Sequence, residues 1–283
     1  MFLSNFIFKL KYFKIYVRKK RRIPNIFFPK DYSEFIFKDI FFRNNDEKFV
    51  LADKYRVREF VIQKGLEKIL PKLYGVWENA SDINFSELPI KFVLKTNNSC
   101  ATNIICTDKN KLNELTVREN LNLWMKSKHP IFFETHYDKI LPAIICEELI
   151  SDNKGDYPID YKIHCANGKP VFIQCCYERT KNSAGKRIIL DTNWKDLNFV
   201  SKNDYHFKNE TIEKPKHLKE MLKFASILSK DHKYIRIDFY DTEEQVFFSE
   251  ITLTPMGGFL SYFTQEALNY MGNAIRSKDP IQN

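Results

Sequence analysis

Residues 234–240 read YIRIDFY and residues 246–253 read VFFSEITL, with the polar stretch DTEEQ (241–245) between them. Two runs of β-branched and aromatic residues around a short polar turn spell a β-hairpin. Alternation along the first strand puts Ile235, Ile237 and Phe239 on one face and Arg236 and Asp238 on the other. The same count along the second strand groups Phe248, Glu250 and Thr252. An odd number of loop residues then brings Asp238 and Glu250 to one side. Two carboxylates beside an arginine suit a divalent cation bridging phosphates, because magnesium takes oxygen ligands, usually one or two carboxylates completed by phosphate and water. From spacing alone, a surface hairpin with an Arg–Asp pair accounts for the pattern more simply.

Outward from this hairpin the chain reads as mixed α/β (α+β), rich in antiparallel hairpins, and not as a regular βαβ series. LPIKFVLK (88–95) forms a buried strand that Lys95 ends, just before the polar turn NNSCATN (97–103); IIC (104–106) resumes an extended strand. Further strands are expected over 141–149 and 159–165, and Asn167-Gly168 turns tightly into another over 170–177. Helices are expected from about Asp53 to Leu70, ended by Pro71, and over 109–127, 215–230 and 264–276. Lys95 at a strand end suits a phosphate contact, and ICEELI (145–150) leaves Glu147 and Glu148 at the end of another strand. Taken singly, each is an ordinary solvated strand end. The six histidines form no base–nucleophile pattern and read as structural or solvated.

The order of these pieces carries more than any one of them. ADKYRVREFV (52–61), KFVLKTNN (91–98), IICEELI, DYKIHCANGKPVFIQ (160–174) and RIDFY with FFSEITLTPMGGF (236–259) together resemble the ATP-grasp superfamily, and within it the TupA-like branch linked to teichuronopeptide and other surface-polysaccharide synthesis. The likeness spans roughly residues 45–263. It implies an ATP-grasp fold of two lobes enclosing a nucleotide cleft: a short leading segment (31–90), a small lobe (91–150) and a large lobe with the metal site (151–283), preceded by a basic amphipathic arm (1–30) read from charge and spacing. The implied cofactors are ATP and magnesium. Lys95 and Arg58 would contact phosphates, and Glu147 or Glu148 with the backbone at Leu149 would line the adenine pocket. Asp160 would meet the ribose, Asp238 and Glu250 would hold magnesium, and Arg236 would steady the transferring phosphoryl group. Thr252 stands where the superfamily usually has Asn, a poorer oxygen ligand. NNSCATN contains no glycine where the phosphate-covering loop normally does, although Ser99, Ala101 and Thr102 are small. Arg179 and Arg187 are candidates for gripping an anionic substrate.

The activity this implies is an ADP-forming carboxylate–amine ligase working through an acyl phosphate on a uronic acid of a capsule or similar glycan. A kinase of the same fold, a glycosyltransferase and a non-catalytic scaffold are the alternatives. Composition narrows the partners. Residues 1–30 hold nine Lys or Arg and no acid, which leaves 36 basic and 36 acidic residues in 31–283. A neutral body with one basic end argues against a nucleic-acid groove. In MFLSNFIFKLKYFKIYVRKKRR, Phe2, Leu3, Phe6, Ile7, Leu10, Phe13 and Val17 recur at helical spacing among lysines, the pattern of a helix lying on an anionic membrane surface. The plainer reading is a first helix packed on the body. On the membrane reading, residues 1–22 are dispensable for folding. Six cysteines without metal-ligand spacing and no secretory signal suggest reduced, buried thiols and a cytoplasmic protein, peripheral to the inner membrane face.

Overall fold

Nine strands, among the described residues, form two antiparallel sheets. In the computed structural model these residues are 2–43, 48–100, 102–126, 133–151, 157–180, 183, 185–200 and 211–277, with side chains from residue 5 onward. The smaller sheet contains β1 (Leu73–Trp77), β2 (Phe92–Thr96), β3 (Asn103–Cys106) and β4 (Ile144–Glu147) in the order β1-β4-β2-β3. The larger contains β5 (Asp160–Ala166), β6 (Lys169–Tyr177), β7 (Lys186–Leu190), β8 (Tyr234–Asp241) and β9 (Val246–Thr252) in the order β7-β6-β5-β8-β9. Asn167 and Gly168, both at positive φ (49° and 77°), close the turn between β5 and β6. That is the backbone a two-residue hairpin requires.

The helices are α1 (Phe2–Lys20), α2 (Tyr32–Phe42), α3 (Phe49–Ala52), α4 (Val57–Gln63), α5 (Glu114–Lys126), α6 (Leu218–Ser229) and α7 (Gln265–Arg276). Two expected helices are shorter than their apolar spacing suggested. The Asp53 carboxylate accepts from the backbone N–H of Tyr55 and Arg56 and delays α4 to Val57, and Gly65 at φ +74° ends that turn of chain before Pro71 does. Asn113 accepts from the Thr116 N–H at 3.0 Å and starts α5 there, so residues 109–111 make only a 3₁₀ turn. A capping side chain satisfies the free N–H groups of a first turn and so sets where a helix begins.

The large sheet has an apolar core on each side. One face packs Ile163, Cys165, Ile237, Phe239 and Ile251 against α6 and the α3–α4 segment. The other packs Ala166, Phe172 and Tyr234 against α1, α2 and α7. A third core fills the space between the small sheet and α5, with Phe92, Leu94, Leu121 and Cys146 at its centre.

The N-terminal segment is therefore part of the body and not an arm. Tyr12 and Tyr16 are fully buried, Tyr12 stacks on Phe37 at 4.5 Å between ring centres, and its hydroxyl donates to the Gly257 carbonyl at 2.7 Å. Of the apolar residues read at helical spacing, Phe13 packs against this core while Phe6 is 62% exposed, Ile7 56% and Leu10 43%. Tyrosine escaped the apolar count, although its ring buries as well as phenylalanine when its hydroxyl finds a partner. Removing residues 1–22 would take two aromatic rings out of a core, which argues against the body folding unchanged without them.

Candidate active site

Asp238 of β8 and Glu250 of β9 are directly opposed, as are Arg236 and Thr252. The expected route to this pairing was a loop of odd length, and the loop is even. Asp241 pairs with Val246, leaving four residues, 242–245, in the turn. Regular pairing from there would set Asp238 opposite Ser249 and turn Glu250 into the core. Ser249 is instead an extra residue, a β-bulge between the Phe239–Phe248 and Asp238–Glu250 pairs. A bulge restores parity by giving one strand two residues against one. It also corrects the grouping of β9: Phe248 faces the core with Phe239, while Glu250 and Thr252 share the opposite face.

On that face the charges interlock. The Arg236 guanidinium donates through Nε and Nη2 to the two oxygens of Asp238, both at 2.7 Å, and from Nη2 to Glu250 at 3.0 Å. Lys162 of β5, directly across from Asp238, reaches Asp238 at 2.5 Å and Asp160 at 2.6 Å. Burial opposes ionisation of Asp238, but Arg236 and Lys162 outweigh it and hold the carboxyl well below the usual range. Burial likewise works against the charge on Lys162, and Asp160 and Asp238 overcome it, so its pKa is raised. The Thr252 hydroxyl lies 3.5 Å from Glu250, oriented to donate to it.

The small sheet brings a second cluster. Lys95 reaches Glu147 at 2.8 Å, and Arg58 donates to the other oxygen of Glu147 at 2.7 Å and to the Pro71 carbonyl at 2.9 Å. Glu147 is thus engaged by two cations, and Glu148 and Leu149 line the cleft wall instead. That cleft runs between the sheets, from Val93 and Lys95 past Leu149 to Tyr240 and Phe248. Arg179 opens onto it as well, donating to the Pro158 carbonyl at 2.8 Å and lying 3.4 Å from Asp160. It sits with the expected ribose acid, which Lys162 links to Asp238. Arg187, on β7, lies over the Tyr262 ring.

Three charged residues of this region escaped the reading of the sequence. Lys162 was legible in principle, since DYKIH puts it two residues after Asp160 on one face. Lys54, inside the same motif as Arg58, donates to the Ser99 carbonyl of the glycine-free turn; burial lowers its pKa, with Glu250 opposing. That turn is held by hydroxyls, Thr96 to Thr102 at 2.7 Å and Ser99 to Thr102 at 3.0 Å; Ala101 falls outside the described residues. Glu134 carried no signal at all. It is buried, accepts from the Thr254 hydroxyl at 3.3 Å, and burial pushes its carboxyl up to about 7 against the pull of Arg236 and Lys54. His164 is buried between Tyr32 and Phe172, and burial with Arg236 nearby lowers it to about 3, so it stays neutral and structural. His129 and His206 lie outside the described residues.

Among the described residues no three His, Cys, Asp or Glu side chains could hold a metal by themselves. Asp238 and Glu250 fit magnesium as a pair of hard oxygen donors whose remaining positions phosphate and water would fill. Both Asp238 oxygens already accept from Arg236, whereas Glu250 is partly exposed and paired through one oxygen alone.

The family described as TupA-like ATPgrasp matches residues 36–276. No relative was found among curated proteins. Similar solved structures include a D-alanine–D-alanine ligase from Bacillus anthracis complexed with ATP, at 16% identity over 79% of this chain and 68% of that one, with a TM-score of 0.44. An L-amino acid ligase from Bacillus licheniformis is similar at 12% identity over 80% of this chain and 48% of that one, with a TM-score of 0.48. A D-alanine–D-alanine ligase from Helicobacter pylori gives 16% over 80% and 61%, with a TM-score of 0.44. The chain spans 68% of the length of the first of these, 48% of the second and 61% of the third. With each TM-score below 0.5, the fold rests on the family match and on the sheet topology.

Proposed function

The chain belongs to the TupA-like ATP-grasp family, and from that premise we propose that it is an ATP-dependent ligase joining a carboxylate to an amine. The observation that supports this best is the direct opposition of Asp238 and Glu250 with Arg236 bonded to both. In the reaction, a carboxylate oxygen of the substrate attacks the γ-phosphorus of ATP and ADP leaves. The amine nitrogen then attacks the acyl carbon, the bond to phosphate breaks, and inorganic phosphate and a proton are released.

Asp238 and Glu250 would hold magnesium, which would supply Lewis-acid neutralisation of phosphate charge. The chain's own part is positioning and electrostatics. Arg236 and Lys162 present positive charge beside the two metal acids, and Lys95 and Arg58 present it from the small sheet. The ammonium of Lys95 stays charged despite burial because Glu147, Tyr240 and Glu250 favour it. Glu148, Leu149 and Tyr240 line the cleft suited to adenine, and Asp160 with Arg179 suits the ribose side. Thr252 serves by orienting Glu250 more than by ligation. Arg187 is the remaining candidate for an anionic substrate. No side chain need form a covalent bond, and losing one charge-stabilising group should cost on the order of 10²–10³ in rate.

The substrate class is read as a uronic acid of a surface polysaccharide such as a capsule, and the place of work as the cytoplasmic face of the membrane, where the basic first helix would serve. Incubating ¹⁸O-carboxylate uronic acids with a panel of amines and ATP tests the reading. Label in the released phosphate supports the acyl-phosphate route. Phosphate that stays on a sugar hydroxyl, with no label transferred and no need of amine, would establish a kinase instead.

A further inference from the structure

The structure divides α1 into two faces that the sequence alone mixed. Tyr12 and Tyr16 anchor one face in the core, and Lys19 lies over the Phe259 ring at 4.8 Å. The outward side keeps Phe6, Ile7 and Leu10 exposed beside exposed Lys11, Lys14 and Arg18. Just beyond the basic end of the helix, the chain exposes three more large apolar side chains: Ile23 at 73%, Phe27 at 71% and Phe28 at 80%. Nothing in the spacing of the sequence marked this second element. Its backbone is not loose, because the Asn25 N–H donates to Glu34 at 3.2 Å and the Phe28 N–H to Asn25 at 2.9 Å.

We infer that the outer face of α1 and the 23–28 segment together form a rigid mount for an anionic lipid bilayer, with Phe27 and Phe28 inserting and Lys11, Lys14 and Arg18 meeting the headgroups. Charge complementarity selects this occupant. The outer face of α1 carries exposed Lys11, Lys14 and Arg18 and no acid, so a second copy on the same face would bring like charges together. A bilayer rich in acidic headgroups is attracted by basic side chains and accepts apolar ones beneath them. The mount deepens the membrane-face part of the proposed function and rests on that part alone. Because α1 is bonded to the turn after β9 through Tyr12 and Gly257, a seated helix would hold the body in one orientation instead of tethering it loosely.

The test uses the full chain without ATP, so its failure leaves the ligase reading standing. Sedimentation with vesicles of phosphatidylcholine, and of an equal mixture with phosphatidylserine, should show binding to the mixture that high salt releases. Phe27→Ser with Phe28→Ser, and separately Lys11→Glu with Lys14→Glu and Arg18→Glu, should each lower partitioning by at least about tenfold. All five positions are exposed, and unchanged circular dichroism checks the fold. Wild-type protein that ignores the mixed vesicles overturns the inference, as do variants that bind like wild type. A wild-type dimer in sedimentation velocity that Phe27→Ser with Phe28→Ser dissolves would make a second copy the occupant.

Discussion

The two faces of the five-stranded sheet share one backbone and carry opposite chemistry. Toward α6, residues Ile163, Cys165, Ile237, Phe239 and Ile251 form an unbroken apolar layer. On the reverse, the end near α2 and α7 is equally apolar, with Ala166, Phe172 and Tyr234. Two residues further along β8 and four along β5, the same face becomes Arg236, Asp238, Lys162 and Asp160, with His164 at the boundary. On β8 the shift from one half of that face to the other takes a two-residue step of about 7 Å. An apolar layer tolerates exchange of volume for volume, whereas a buried charge is tolerable only while its partners stay in place. A conservative, same-size exchange should therefore cost the charged half far more than either apolar half.

The largest effect is expected where the apolar half loses whole rings. Truncating a buried aromatic costs about 3–5 kcal/mol, and losing residues 1–22 removes both Tyr12 and Tyr16, which could exhaust a typical folding free energy of about 5–15 kcal/mol. The shortened chain should lose its cooperative thermal transition in calorimetry; a wild-type melt would show that α1 is not structural after all. Next comes Asp238→Asn, which leaves Arg236 and Lys162 buried without their shared partner and should destabilise by about 3–5 kcal/mol in urea unfolding. Glu250, partly exposed, should be far more tolerant, so equal losses for Asp238→Asn and Glu250→Gln would erase the contrast drawn here.

Glu134 offers a pH-resolved version of the test. Its carboxyl is raised in the folded state to about 7, so the protonated form contributes stability below its ordinary value and that contribution disappears as pH rises through about 7. Glu134→Gln should thus gain on wild type by about 2–3 kcal/mol between pH 5 and pH 8, read from denaturant midpoints at the two values. A constant difference across that range would mean the group titrates normally. The smallest effect is expected from deleting Ser249. The extra residue of the bulge is removed, Glu250 remains opposite Asp238, and stability should change by no more than about 1–2 kcal/mol. Collapse of the fold would show that the bulge's twist, and not only its parity, is needed.

What the sequence determined by itself was the kind of element at most positions and which side chains share a strand face, because period-two alternation is a local property of the backbone. Alternation alone sets Arg236 beside Asp238 and Lys162 beside Asp160. The ordered motifs carried the family, since no single motif could. Only the tertiary structure decided the rest. The bulge at Ser249 depends on which partners β8 and β9 can bury, and no count along β9 reveals it. Glu134 acquires its raised carboxyl from burial among residues far away in the chain. The first helix turns its tyrosines inward because Phe37 and the Gly257 carbonyl wait there, a choice that hydrophobic spacing within α1 could not register. Local periodicity is written in neighbouring residues; register, burial and partner are set by long-range packing, whose free energy no short segment contains.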